Sequence, residues 1–125
     1  MAVIKDFYQL DTWKVNYKFV LEIYKCLDSL PKEEKYGIVD QLRRASSSIT
    51  ANIAEGFGRY HKKDKIHFYF QARGSLKEVQ NFLLLSKDLG YINRQIARKL
   101  WISSKEAEKL INGLIRSTEN NMKSS

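Results

Sequence analysis

The strongest constraint on this sequence is a hydrophobic period of three to four residues, which recurs in four long segments. In the second segment, Ile38, Leu42, Ala45, Ile49 and Ile53 follow one another at such steps. This period places apolar side chains on one face of an α-helix, whereas a half-buried strand needs strict alternation. One proline and six glycines in 125 residues are also too few for the many turns of an all-β fold. The sequence therefore predicts an all-α protein.

Breaks in the period divide the chain into four predicted helices with short connectors. Pro31 suits the first turn of the second helix, Gly90 can end the third, and Asn93 can cap the fourth. Inside the fourth, Ser103-x-x-Glu106 resembles a capping box, so this helix is either continuous or divided into two pieces there. The predicted helices span residues 12–28, 31–57, 63–89 and 93–118. Short connections make neighbouring helices antiparallel, so we expect a single domain over residues 1–125, an up-down-up-down antiparallel four-helix bundle.

Positive charge is concentrated in the second half of the chain. Residues 1–58 contain eight basic and eight acidic side chains, whereas residues 59–125 contain fourteen basic and six acidic ones. The second half therefore carries the whole formal net charge of +8. Such a surface favours a polyanionic partner, with nucleic acid the first candidate. The alternative is a solvated basic surface that only keeps the protein soluble.

Seven basic residues in this half are the predicted phosphate contacts. They lie in the connector before the third helix and at the start of the fourth, and they are Arg59, Lys62, Lys63, Lys65, Arg94, Arg98 and Lys99. Tyr60 and Tyr91 are candidates to stack on unpaired bases, although packing is the favoured interpretation for each. Phosphate contacts fix position rather than sequence, so we expect weak sequence preference and binding that weakens steeply with salt.

A polar stripe follows the second helix close to its apolar face. Arg44, Ser48, Asn52 and Glu55 recur at steps of three and four and so share one face. We interpret the stripe as an internal hydrogen-bond network or a subunit interface. An RNA-contacting groove is the alternative, which the repulsion between Glu55 and a phosphate disfavours. Small residues surround the stripe, and Gly74 of the third helix is predicted to pack against them, since a mid-helix glycine costs roughly 1 kcal/mol.

The sequence shows no pattern typical of a catalytic or metal site. Its two histidines, His61 and His67, form no Glu-x-x-His pair of a di-metal bundle, and one cysteine, Cys26, adds no zinc motif or internal disulfide. No phosphate-cradling glycine loop, nucleophile–base pair or two-metal carboxylate cluster is visible, which argues against a nuclease. We expect no catalytic residues, no metal, no cofactor and no enzyme activity. Without a signal peptide or long apolar run, we expect a cytoplasmic protein with no membrane contact.

A set of short motifs resembles the signature of one family. The motifs are Gln41-Leu42-Arg43-Arg44-Ala45, Ser48-Ile49, Asn52-Ile53-Ala54-Glu55-Gly56, Arg59, Gly74-Ser75-Leu76-x-Glu78, Phe7-x-x-Leu10-x-x-Trp13, Tyr36-Gly37 and Leu89-Gly90-Tyr91-Ile92. Together they cover nearly the whole chain and resemble the four-helix-bundle proteins encoded in intervening sequences of bacterial 23S rRNA genes. His61 departs from this pattern, which usually has a small capping residue there. Ser46 and Ser47 also depart, since more apolar small residues are usual.

The resemblance implies an up-down bundle that assembles into a ring, with a homopentamer expected. The family is related in fold to the accessory variability proteins of diversity-generating retroelements, which bind nucleic acid and a reverse transcriptase through a basic surface. The predicted function is non-catalytic binding of structured RNA, or of DNA, by such a ring. The alternative is a protein-interaction adaptor or scaffold that docks a reverse transcriptase or another protein. Aromatic residues predicted to point outward also favour self-association, and they are Tyr8, Phe19, Tyr69 and Trp101.

Overall fold

A computed structural model describes residues 3–123 as a bundle of four helices. The helices are α1 (Asp11–Cys26), α2 (Ile38–Phe57), α3 (Lys62–Asp88) and α4 (Arg94–Lys123). No strand occurs in this part of the chain. Each helix packs against the next, and α4 returns to pack against α1, so the bundle closes around one core. The prediction of an all-α four-helix bundle is confirmed. None of these helices combines the length and apolar composition that a membrane span requires.

All four helices contribute to the core. Ile23 of α1, Ile49 and Ile53 of α2, Leu76 of α3 and Ile111 of α4 have no exposed surface. Removing a side chain of this size from water stabilises a fold by about 1.5–3 kcal/mol. The apolar stripes that predicted the helices therefore also hold them together.

The buried face of α1 is rotated from the predicted one. Phe19, predicted to point outward, is 1% exposed, whereas Tyr17 and Tyr24, which lie at helical spacing in the same segment, are 43% and 40% exposed. The physical reason is a polar residue in the core. Asn16 is fully buried, and its Nδ2 donates hydrogen bonds to the carbonyl oxygens of Thr12 at 2.8 Å and of α4 at 3.3 Å. Because an asparagine lies at the centre of the buried face of α1, the positions of apolar residues alone do not predict that face correctly.

Gly74 does not pack against α2, contrary to the prediction. It is exposed, and no neighbouring heavy atom lies within 4 Å of the position that a Cβ would occupy. The close approach of α2 and α3 occurs at Gly56, where a Cβ would lie 2.6 Å from Cε1 of Tyr69. Tyr69, also predicted to point outward, is only 2% exposed because the missing side chain at Gly56 leaves room for its ring.

The second helix begins at Ile38, seven residues later than predicted. Residues Lys32–Glu34 form a short 3-10 turn instead. Glu34 Oε1 then accepts a hydrogen bond from the backbone N–H of Ile38 at 3.3 Å, which caps the first turn of α2. Glu34 Oε2 accepts a second from the Tyr91 hydroxyl at 3.0 Å, so Tyr91 joins the loop between α3 and α4 to the start of α2.

The other helix ends follow their local signals more closely. Both α1 and α3 begin and end within two residues of the predicted bounds. Gly90 ends α3 with a positive φ of 78°, and Asn93 Oδ1 caps α4 by accepting a hydrogen bond from the N–H of Ile96 at 2.8 Å. Of the two alternatives at Ser103 the structure has the continuous helix, and α4 ends at Lys123, five residues after the predicted bound.

Candidate nucleic-acid interface

The seven predicted phosphate contacts lie in two groups at opposite ends of the bundle. The first group surrounds the junction of α2 and α3, and the second lies at the start of α4. Between them runs α3, whose 27 residues give a length of about 40 Å at 1.5 Å per residue. The structure therefore does not bring the seven residues into one compact site.

Three cations of the first group are engaged within the protein. Lys65 Nζ donates hydrogen bonds to the carbonyl oxygens of Phe57 at 2.6 Å and Gly56 at 3.4 Å. It thus caps the end of α2, where carbonyl groups lack partners within the helix, and partial burial lowers the pKa of Lys65. Arg59 Nη2 lies 3.2 Å from Glu55 Oε2 in an exposed ion pair. Lys62 Nζ donates a hydrogen bond to the carbonyl oxygen of Asn121 at 3.3 Å, near the end of α4.

The polar stripe on α2 does not form one continuous network. Arg44, at one end, pairs with Asp40 of the same helix at 3.0 Å and remains largely exposed. In the middle, Asn52 Nδ2 donates to the carbonyl and hydroxyl oxygens of Ser48 at 2.9 and 3.0 Å. Ser48 Oγ also accepts a hydrogen bond from Ser75 of α3 at 3.0 Å. The centre of the stripe therefore contributes to helix pairing, while its ends face solvent.

A row of basic side chains follows the outer groove between α3 and α4, which we call the α3–α4 seam. Side chains from both helices border it. They are Lys63, Ile66, Arg73, Lys77, Gln80, Leu84, Lys87 and Asp88 of α3, and Arg94, Arg98, Trp101, Lys105, Glu108, Lys109, Asn112, Arg116, Glu119 and Met122 of α4. Nine of these side chains are basic and three are acidic, a surplus of six positive charges.

Glu108 organises the middle of the seam. Its Oε2 lies 2.9 Å from Lys77 Nζ and its Oε1 lies 3.2 Å from Lys105 Nζ, and Gln80 Nε2 donates to Oε1 at 3.1 Å. Burial alone would raise the pKa of Glu108, but hydrogen bonds from Lys77, Gln80 and Lys105 outweigh it and lower the pKa to about 2. The carboxylate is therefore ionised at neutral pH and holds two lysines next to each other.

A second polar contact fixes another cation of the seam. Arg73 Nη1 donates to Asn112 Oδ1 at 3.1 Å, and the guanidinium lies 4.9 Å from the ring centre of Phe70. Arg73 precedes Lys77 by one helical turn, so the two point to the same side of α3. The middle of the seam therefore presents three positioned cations within about two turns of helix.

The described side chains form no metal-binding cluster. Within residues 3–123, no three His, Cys, Asp or Glu side chains lie close enough together to hold a metal ion. Burial raises the pKa of Cys26 to about 11, so its thiol is protonated and unreactive at neutral pH. What the seam offers chemically is a row of donors for phosphate oxygens.

Six cations of the seam were not among the predicted contacts. They are Arg73, Lys77, Lys87, Lys105, Lys109 and Arg116. The sequence pattern that could have identified them is the helical spacing of the cations on each helix, for example at 105, 109 and 116 on α4. The prediction relied instead on basic residues that lie close together in the sequence near the loops, and these lie at the ends of the helices.

Comparisons with known proteins agree on one family. A family model described as 23S rRNA-intervening sequence protein matches residues 8–113. A crystal structure of a protein of unknown function, from the S23 ribosomal protein family of Bacteroides thetaiotaomicron, superimposes with a TM-score of 0.77 at 26% sequence identity. The alignment covers 83% of this chain and 97% of that one. No curated protein matches the sequence.

Proposed function

We propose that this chain, which belongs to the 23S rRNA-intervening sequence protein family, is a non-catalytic nucleic-acid-binding protein whose α3–α4 seam holds phosphates. The observation that carries this proposal is the surplus of six positive charges along one groove. Double-stranded DNA carries one negative charge per about 1.7 Å of axis. A row of cations about 40 Å long therefore faces many phosphates of a single ligand.

The chemistry of the seam favours backbone contacts over base recognition. Lysine and arginine heads are fixed by Glu108 and Asn112, and phosphate oxygens are their natural acceptors. Such contacts position a ligand without reading its sequence. The family description refers to 23S rRNA, so structured RNA is the first ligand to test and DNA is the second.

Self-association into a ring, with the homopentamer that the family resemblance implies, is part of this proposal. An apolar face on α1 supports it, because Tyr17, Leu21 and Tyr24 are 40–46% exposed at helical spacing. In the bundle, α1 packs against α2 and α4 and lies across the core from α3. A contact between copies through this face would leave the seam open to solvent, and each added copy would add one more seam for the same ligand.

The same apolar face supports a second candidate function, an adaptor or scaffold that docks a reverse transcriptase or another protein. Exposed apolar patches mark protein contacts of either kind. Capture of partners with and without nuclease distinguishes the two functions. An adaptor retains its protein partner after nuclease treatment, whereas a nucleic-acid-binding protein releases what it holds through RNA.

The test of the seam measures Kd for a structured RNA hairpin as a function of salt. The double substitution Lys105→Gln with Lys109→Gln removes two seam charges and keeps a hydrogen-bond donor near Glu108. We expect weaker binding and a slope of log Kd against log salt reduced by about 2, because each lysine removed leaves one phosphate without its cation. An intact hairpin after incubation supports the absence of catalysis.

The matched control is Lys32→Gln with Lys35→Gln. These lysines are exposed in the connector before α2, so the double variant lowers the net charge equally and leaves both the seam and α1 unchanged. If the two double variants lose affinity equally, the loss comes from the change in net charge and not from the seam. Binding that does not change with salt would exclude the mechanism altogether.

A further inference from the structure

Tyr60 projects from the loop between α2 and α3 at one end of the seam. It is 91% exposed, the largest exposed fraction among the large apolar side chains that the structure describes. An exposed ring does not contribute the stabilisation of roughly 1.5–3 kcal/mol that burial of a large apolar side chain gives to a fold. Packing, the interpretation favoured by the sequence, therefore does not account for Tyr60.

Both sequence neighbours of Tyr60 make contacts with aromatic rings. Arg59, the preceding residue, is anchored with its guanidinium 4.6 Å from the ring centre of Phe68. His61, the following residue, meets the Tyr60 ring edge-on, with centroids 5.1 Å apart and planes at 88°. The Tyr60 ring therefore contacts His61 and otherwise remains open to a ligand.

The surroundings of Tyr60 continue into the seam. A shallow depression lined by Tyr60, His61, Lys62, Lys63 and Met122 adjoins a second one between α3 and α4, and the two share Lys63 and Met122. Lys62 and Lys63 place positive charge directly beside the ring. A strand that follows the seam to this end therefore meets cations for its phosphates and an aromatic surface for a base.

We propose that Tyr60 is a stacking platform for an unpaired nucleotide that extends from the nucleic acid in the seam. This inference rests on the proposed function and narrows the ligand to a paired region with an adjoining single-stranded extension or loop. Stacking on an aromatic side chain accepts any base, because every base has a flat π-face. The expected preference is accordingly for unpaired nucleotides as such, with little dependence on their identity.

The experiment measures what a single-stranded extension adds to affinity. Kd is determined for an RNA duplex and for the same duplex with a five-nucleotide 3′ or 5′ extension, with parallel DNA ligands. We expect the wild type to bind one extended ligand more tightly, and Tyr60→Ala to abolish that gain. Removing a base–aromatic stack lowers affinity by roughly 5- to 150-fold, while affinity for the blunt duplex should change little. Tyr60→Trp should retain the gain.

Two controls isolate stacking from other effects. Tyr36 is 85% exposed and also lies beside a lysine, but it precedes α2 at the opposite end of the bundle, so Tyr36→Ala should retain the gain. An extension of abasic nucleotides keeps the phosphates and lacks the bases, so it should add much less affinity than the normal extension.

Three results would overturn the inference. A Tyr60→Ala variant that keeps the full gain would exclude stacking on this ring. If Tyr60→Ala changes the molecular mass of the assembly relative to the wild type, Tyr60 lies in a contact between copies. If the wild type binds blunt and extended ligands with equal affinity, Tyr60 does not stack on the extension, but the proposal of binding in the seam stands. If the wild type binds neither ligand, the proposed function is also wrong.

Discussion

Among single residues, Gly56 has the most consequence for the fold, because it sets how closely α2 and α3 approach. A Cβ there would lie 2.6 Å from Cε1 of Tyr69 and 3.1 Å from the carbonyl oxygen of Lys65. Neither neighbour has room to move, since the tyrosine is buried and the carbonyl belongs to a helix. Burial also raises the pKa of Tyr69 to about 12, so its ring remains neutral in this contact.

The same substitution at two glycines should have opposite effects. We expect Gly56→Ala to lower the free energy of unfolding by about 1–3 kcal/mol through overpacking. Gly74→Ala should raise it by up to about 1 kcal/mol, because alanine favours the helix and meets no neighbour there. Urea denaturation of both variants tests this. Reduced stability in Gly74→Ala, or unchanged stability in Gly56→Ala, would contradict the packing described.

These two glycines show what a sequence can predict at this scale. A glycine inside a helical pattern indicates that a side chain is missing, but not whether the open side faces a neighbour or solvent. Gly74 is therefore an ambiguous signal, and Gly56 lies one residue before the predicted end of the second helix, where a glycine indicates a helix end rather than a close contact. Gly90 could be predicted because its role, ending α3 at positive φ, depends only on the local backbone.

Between elements, the pairing of α3 with α4 depends on polar contacts as well as on the core. Gln80 Nε2 donates to Ser104 Oγ at 3.1 Å and to Glu108 Oε1 at the same distance. Together with Lys77 and Lys105, these groups bridge the two helices along the outside of the core. Since Glu108 is the acceptor for three donors, its ionisation should decide how much this bridge contributes.

The contribution of Glu108 to stability should depend on pH. Its pKa falls from 4.5 to about 2 on folding, so its ionised form stabilises the protein above pH 4.5. That stabilisation disappears as the pH falls toward 2. We expect Glu108→Gln to be less stable than the wild type at pH 7, with a difference that shrinks steadily between pH 4.5 and pH 2. Urea denaturation across this range measures it.

Glu106→Gln provides the control for that series, because Glu106 is an exposed carboxylate of the same helix. The free energy of unfolding of Glu106→Gln should stay close to that of the wild type over the whole pH range. A pH-independent difference for Glu108→Gln would mean that the bridge acts through shape rather than charge.

The helices themselves were largely predictable, and the errors have specific causes. Asn93 and Gly90 act on adjacent backbone groups, so they predicted the end of α3 and the start of α4 to within one residue. The start of α2 was missed because Glu34 reaches forward to Ile38, which competes with the local signal at Pro31. The seam was predicted only at its ends, since a continuous groove requires knowing which faces of α3 and α4 meet.

For the whole molecule, the proposed ring can be tested through α1. We expect the wild type to have a mass of about five chains of 14.6 kDa each. Leu21→Glu should reduce it to that of smaller species, because a charge in the centre of an apolar contact is costly to bury. Light scattering after gel filtration measures the mass.

The control is Leu85→Glu. Leu85 is 41% exposed, close to the 46% of Leu21, but it lies on α3, so this substitution adds the same charge away from α1. A monomeric wild type would remove the ring from the proposal. An unchanged mass in Leu21→Glu would place the contact on another face.

The seam extends along the whole of α3, and under the proposed function this length would limit how much of a ligand one chain contacts. A DNA duplex would have to span about 40 Å, or about 12 base pairs at 3.4 Å each, to reach both ends of the groove. Shorter duplexes would engage a subset of the cations, and longer ones would gain nothing further from the same chain. The size of the contacted segment would then follow from the length of a helix rather than from any sequence in the ligand.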